Sequence, residues 1–340
     1  MIREEAMNGK DILMMQSFIG NKACRGAAKK LLLTVGIALL ASQATTAQDV
    51  TECDRLAAVP GDPEAVAPGV EFWNLNIDAA IMACEESIKT YPDIERLSFQ
   101  LTMLRLYEKA RIGDSLTDEI TALKRLSSNR YSHAAAMLGQ IYKDGEYAET
   151  DLEIIEEYLE RAKDLGNLWA EVGLGILYTQ EGKTGRYTEI KVLRGERYLQ
   201  RAVNRGNPQG QIGLAAYIQD TEPDRAFKLL EEAAEVGSPV AMLIMYVQQK
   251  DKKGPKYNID RAKYWLNAAV NTGYPAAIYT LALEYGNGLH FEKNIPKAVN
   301  LHIQMLNFYA RSGSKTDIQS YFEALPQEIR QHVKTYLEKR

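Results

Sequence analysis

A chain of 340 residues has room for one elongated domain or two compact ones. Hydrophobic content of 46% with 25% charged residues excludes wholesale disorder. The formal charge of −4 comes without any basic block, which excludes nucleic-acid binding through clustered Lys and Arg and a polybasic grip on anionic lipid.

Residues 1–47 read as a secretory signal peptide. Residues 31–41, LLLTVGIALLA, are an apolar run preceded by Arg25, Lys29 and Lys30, and Thr45, Thr46 and Ala47 suit a small-x-small cleavage site. Eleven residues rise only about 16 Å as a helix, against a hydrocarbon core of roughly 30 Å; a membrane anchor is the alternative. No cysteine follows the run at a lipid-attachment position. Cleavage leaves 35 basic and 42 acidic residues, a formal charge of −7. It also removes Cys24 and leaves Cys53 and Cys84 as an even pair. In an oxidising compartment the natural reading is a disulfide, with two free core thiols as the alternative.

Residues 48–76 read as irregular, punctuated by Pro60, Gly61, Pro63, Pro68 and Gly69. A disulfide would pin this segment onto the following helix. Helices are predicted over residues 78–90, 94–111 and 116–126, the second with Leu97, Leu101, Leu104 and Tyr107 on one face. Residues 77–130 form one helical block, and a repeat array spans residues 131–312.

Four times in the array a large residue, an alanine, a glycine and another small residue follow one another at intervals of four. The sets are Tyr158, Ala162, Gly166 and Ala170; Tyr198, Ala202, Gly206 and Gly210; Leu229, Ala233, Gly237 and Ala241; and Trp265, Ala269, Gly273 and Ala277. They begin 40, 31 and 36 residues apart, a period that marks a helical solenoid. Each unit reads as two antiparallel helices, A and B. Ala134, Leu138, Gly139 and Tyr142 in the first helix A recur as Ala170, Leu174, Gly175 and Tyr178 in the second, and as Ala277, Leu281, Ala282 and Tyr285 in the fifth. The third shifts its tyrosine to Tyr217, and the fourth is degenerate, with Met245 and Tyr246 there. The glycine after each helix B is placed to end it in the left-handed conformation. Gly182, Gly185 and Tyr187 are expected in a long inter-helix loop. Residues 313–340 read as two capping helices, over 317–324 and 326–340.

The Ala-x-x-x-Leu-Gly-x-x-Tyr and Lys/Arg-Ala-x-x-Trp-x-x-x-Ala-x-x-x-Gly patterns, clearest from Arg261 to Gly273, resemble the Sel-one-like repeat family of the tetratricopeptide superfamily. The resemblance covers roughly residues 131–310. The stretch Cys53 to Ala58, with Asp62, Pro63 and Cys84, resembles the front end of exported repeat proteins of alphaproteobacteria. The resemblance implies an all-α, right-handed solenoid of stacked antiparallel helix pairs. It implies an adaptor in the periplasm of a Gram-negative bacterium, or secreted from one, that binds a protein partner such as a membrane sensor or a secretion component.

No convergent reactive set accompanies the repeats. The four histidines, His133, His290, His302 and His332, form no His-Glu-x-x-His pair. Gly286-Asn287-Gly288 lacks the preceding strand and third glycine of a dinucleotide site and reads as a turn. The expectation is a non-catalytic chain without cofactor or metal. The alternatives are a cell-wall or polysaccharide-associated assembly factor and, more remotely, a hydrolase. Nineteen tyrosines against seven phenylalanines suit both repeat contacts and a binding groove. Expected groove contacts are the helix A positions off the packing stripe: Gln140, Glu171, Gln211, Met245 and Thr280.

Overall fold

The computed structural model describes residues 50–144, 151–311 and 315–338; the expected signal peptide lies outside these residues. Helices follow one another without a strand among the described residues: α1 (Glu52–Ala57), a 3₁₀ turn (Phe72–Asn74), α2 (Ile77–Thr90), α3 (Glu95–Ile112) and α4 (Thr117–Ser128). The array follows with α5 (Ser132–Asp144), α6 (Leu152–Asp164), α7 (Leu168–Lys183), α8 (Glu189–Asn204), α9 (Pro208–Ile218), α10 (Pro223–Glu235), α11 (Pro239–Lys250), α12 (Ile259–Asn271), α13 (Pro275–Asn287) and α14 (Ile295–Arg311). The chain closes with α15 (Lys315–Ala324) and α16 (Gln327–Leu337). From α1 to α15 each helix packs on the next in sequence, and α16 packs back on α14, so the molecule is a solenoid of stacked helix pairs.

The repeated glycine ends helix B as its spacing predicts. Gly166, Gly206, Gly237 and Gly273 have φ of 85°, 69°, 103° and 80°, a region costing other residues roughly 1–2 kcal/mol. In three units the turn closes twice. Asn167 N–H donates to the Ala162 carbonyl, Asn207 N–H to Ala202 and Ser238 N–H to Ala233, each at 3.0–3.1 Å, and the glycine N–H bonds one residue further along the helix. The same Asn or Ser then caps the next helix: Asn167 accepts from Ala170 N–H, Asn207 from Gln209 and Gly210 N–H, and Ser238 from Ala241 N–H. One residue thus stops helix B and starts helix A, which keeps the connection short. The alanines bearing the accepting carbonyls are buried, 3% exposed or less.

Small residues within the pairs let backbones approach. A Cβ on Gly175 would sit 2.8 Å from Leu199 Cγ and 3.1 Å from the Gly195 carbonyl, and one on Gly139 would sit 2.8 Å from Leu159. The fourth unit, degenerate in sequence, is regular in structure. Met245 and Tyr246 of α11 are wholly buried, and the Tyr246 hydroxyl donates to the buried Glu284 carboxylate of α13. Lys183 ends α7 late, so the expected long loop is short; Tyr187 packs edge-on against Tyr178 at 5.2 Å.

The segment read as irregular contains α1, begun by a capping box in which Thr51 and Asp54 satisfy each other's backbone N–H. Three links fasten it. The Cys53–Cys84 disulfide joins it to α2, buried Arg96 donates two hydrogen bonds to buried Asp54 at 2.8 and 2.9 Å, and Gln100 adds a third at 3.2 Å. Asp54 is held below the usual carboxylate range: burial works against its charge, but the Arg96, Thr51 and Gln100 hydrogen bonds prevail. Further along, Asp62 accepts from the Tyr131 hydroxyl at the start of the array.

Candidate functional site

Between these anchors the chain runs through the Phe72–Asn74 turn, flanked by extended residues Glu71 (φ −63°, ψ 139°) and Leu75 (φ −67°, ψ 134°). Trp73 is 6% exposed although it stands in a loop. It is buried among residues far away in sequence, in one apolar cluster with Val172, Ile212, Tyr246 and Tyr274. Its indole N–H donates to the Thr272 carbonyl at 3.3 Å across 199 residues, and its ring meets Tyr274 edge-on at 5.3 Å. Phe72 lies 4.9 Å from Tyr107 of α3 and 6.2 Å from Phe308 of α14. A three-residue turn that touches α3, the α12–α13 connection and α14 at once requires the array to curve around it. The helical block before the array and the last helix of the array meet on this aromatic clasp.

The clasp does not fill its surroundings completely. A cavity of about 30 Å³, room for about one water, remains between Val70, Phe72 and Leu75 on one side and Tyr107, His133 and Trp169 on the other. His133 is buried, accepts from Asn167 Nδ2 at 3.2 Å and packs edge-on against Phe99 at 5.5 Å. Burial lowers its pKa despite the nearby Asp62 charge, so it stays neutral.

The five expected groove positions divide. Met245 is wholly buried. Glu171 is 6% exposed and receives Arg201 and Arg205, the latter at 2.7 Å, and Gln211 is 5% exposed and donates to Glu232 at 3.1 Å. These three face neighbouring helices, because a 3.6-residue repeat packed on both sides leaves little helix A surface free. Gln140 and Thr280 are half-buried, and the Thr280 hydroxyl turns back to the Ala276 carbonyl at 2.7 Å. Met245 lies in the same apolar cluster as Trp73 and Tyr274. Periodicity missed Phe72, Trp73 and Tyr274. The available signals were two adjacent large aromatics in a Pro- and Gly-rich stretch, and a tyrosine where three other units have Asn or Ser.

Tyrosines serve mostly as packing. Tyr131, Tyr178, Tyr246 and Tyr274 are among the largest wholly buried side chains, and Tyr178 donates to Glu156 and Glu160 at 2.7 and 3.0 Å. Burial, reinforced by those carboxylates, pushes the Tyr178 pKa up. Among the described residues, no cluster of three His, Cys, Asp or Glu is arranged to hold a metal ion. No described helix is long and apolar enough to cross a membrane.

A family model for the Sel1 repeat matches residues 132–167, 211–238, 246–274 and 275–305. No curated protein matches the chain. Among solved structures, a Sel1 repeat protein from Oxalobacter formigenes is similar at 16% identity and a TM-score of 0.42, over 64% of this chain and 93% of that one. The protective antigen c5321 of uropathogenic Escherichia coli strains, which displays an SLR fold, is similar at 18% identity and a TM-score of 0.36, over 76% of this chain and 56% of that one. The four matched segments are similar to Sel1 repeats and lie within the continuous run of stacked helix pairs; residues 168–210, between the first two segments, are not matched.

Proposed function

We propose that this protein is a non-catalytic, exported binding scaffold whose curved array holds an extended segment of a protein partner. The observation that carries this reading is the clasp: the molecule already grips a short aromatic turn of its own chain, with extended flanks, through Trp73 and Phe72. Rigid aromatic anchors in buried seats are the side chains that dominate binding energy between proteins. A solenoid adds such contacts repeat by repeat. The Cys53–Cys84 bond supports an oxidising compartment, in line with the leader-like residues 1–47. A periplasmic location would bring a membrane sensor or a secretion component within reach.

Crosslinking in intact cells, followed by capture of the tagged chain and mass spectrometry, tests this. One recurrent protein partner, retained at several salt concentrations, is expected. Saturable binding to isolated cell-wall material with no protein adduct would transfer the assignment to a glycan-associated assembly factor.

A further inference from the structure

At one edge of the last two units, the α11–α12 loop (251–258) and the α13–α14 loop (288–294) are held side by side. Glu284 of α13 is buried and receives the Tyr246 hydroxyl from α11 and the His290 backbone N–H, at 3.1 Å, from the second loop. Lys250, at the end of α11, stands 3.7 Å from the same carboxylate. Each loop is also closed on itself: Asn258 N–H donates to the Gln249 carbonyl at 2.9 Å, and Asn294 N–H to the Tyr285 carbonyl at 2.8 Å. The edge is therefore a formed surface.

Its lysines differ from those earlier in the array. Lys163, Lys183 and Lys191 meet carboxylates at 2.5–3.7 Å. The ammonium groups of Lys252, Lys253, Lys263 and Lys297 meet no carboxylate among the described residues. A paired lysine must give up its carboxylate to take another; these four need not. Lys263 lies 5.5 Å from the centre of the Phe291 ring and Lys297 5.0 Å from that of Tyr285, and the two rings meet edge-on at 5.3 Å. Two cations thus flank one aromatic pair. Lys252 and Lys253 are exposed in the neighbouring loop, and Leu289 stands 64% exposed between Glu284 and Phe291 in sequence. The fold gathers these lysines from separate stretches of a chain whose net charge is negative, so no single basic block announces them.

We propose that this edge docks an acidic segment of the protein partner that carries a bulky apolar side chain. Its carboxylates meet Lys252, Lys253, Lys263 and Lys297, and its apolar side chain covers Leu289 and half-buried Phe291. This rests on the partner-binding reading and adds the chemistry of the partner and the face it uses. Exposed ion pairs are individually weak and are screened over about 8 Å at physiological salt. Charge therefore aligns the segment, and the apolar contact holds it. The leucine favours a protein over a glycan, since it gains by burial against another apolar side chain and offers no hydrogen bond to a sugar hydroxyl.

The test follows the anisotropy of a fluorescein-labelled peptide, Gly-Glu-Glu-Phe-Leu-Glu-Glu-Gly, titrated with the full chain. Saturable binding is expected, weakening about tenfold between about 50 and about 300 mM NaCl. The charge reversals K252E/K253E and K263E/K297E should each weaken it about tenfold. K89E/K228E, the same change of charge on α2 and α10, should leave it within about twofold. A peptide with alanines in place of the Phe-Leu pair should bind about tenfold more weakly. No binding to the wild-type chain, equal losses in all three variants, or an alanine peptide that binds as well as the first would overturn the proposal. Oligogalacturonate or phosphatidylglycerol vesicles that displace the label at lower concentration than unlabelled peptide would also overturn it, by assigning the edge to an acidic glycan or a membrane. A reversal that lowers the helicity seen by circular dichroism is replaced by the corresponding alanine pair, for which the same ordering of losses is expected. The probe is defined and cell-free, so a failed titration removes this edge alone, whereas a failed cellular capture removes the partner reading itself.

Discussion

Gly206 and Gly175 show two different uses of one residue type. A Cβ on Gly206 would meet nothing within 4 Å, so only its φ of 69° demands glycine. Gly206→Ala is expected to cost roughly 1–2 kcal/mol through backbone strain. Gly175→Ala drives a methyl into Leu199 and the Gly195 carbonyl, and overpacking of that kind costs about 1–3 kcal/mol. Urea unfolding of the two variants checks both, and a second substitution Leu199→Ala should relieve part of the Gly175→Ala loss while leaving Gly206→Ala unrelieved. Both positions were legible, since the spacing of four marks the helix end and the Leu-Gly pair marks the close contact.

His302 and His133, both buried with lowered pKa values, contribute to the pH dependence at this scale. His302 is 1% exposed beside Tyr279 and Tyr321, with the Tyr321 hydroxyl 2.6 Å from Nδ1 and Nε2 buried without a partner among the described residues. Burial lowers its pKa to about 4, whereas the unfolded chain titrates near 6.5. The unfolded state therefore binds the extra proton first. Stability is whole above about pH 6.5 and falls as the pH drops toward 4, by about 1.4 kcal/mol per pH unit from this group. Asp54 and Glu284, both held below the ordinary carboxylate range, withdraw their contributions only at pH values below about 4. Urea midpoints between pH 7 and 4.5 should slope downward in the wild type and less steeply in His302→Gln, the remaining slope including the contribution of His133, whose pKa burial also lowers.

At the scale of elements, apolar spacing located α2, α3 and α4 within about two residues and the repeated glycines located the ends of α6, α8, α10 and α12, because caps and apolar stripes are local signals. Neither signal found α1 or the 3₁₀ turn. The Thr51-x-x-Asp54 box announces α1 only to a reader expecting a helix of two turns or fewer, and the turn owes its burial to residues 199 positions away. The burial of three of the five groove positions was hidden for the same reason. Glu171, Gln211 and Met245 lie off the stripe that faces one neighbour and on the face that meets another. The disulfide is the main fastening of the front end. Closing a loop across a separation of 31 residues should contribute about 3–4 kcal/mol by chain-entropy arithmetic. Reduction is expected to lower the urea midpoint accordingly, and to speed hydrogen exchange in α1 well before it does so in α9 to α13.

At the scale of the molecule, stacked helix pairs follow directly from a period in the thirties, since each pair buries its apolar face only against the next. Curvature was not legible, because it depends on small rotations between units that no local pattern encodes. The clasp reveals it: Tyr107 and Phe308 share the Phe72 ring. Whether Trp73 lies inside the array is decided most directly by placing a benzophenone amino acid at position 73 of the purified chain and mapping the adducts by mass spectrometry. Crosslinks to the peptide containing Thr272, Gly273 and Tyr274 are expected. Adducts confined to residues 77–112 would mean that the front end packs only on its own neighbours, and would contradict an array that curves around Trp73.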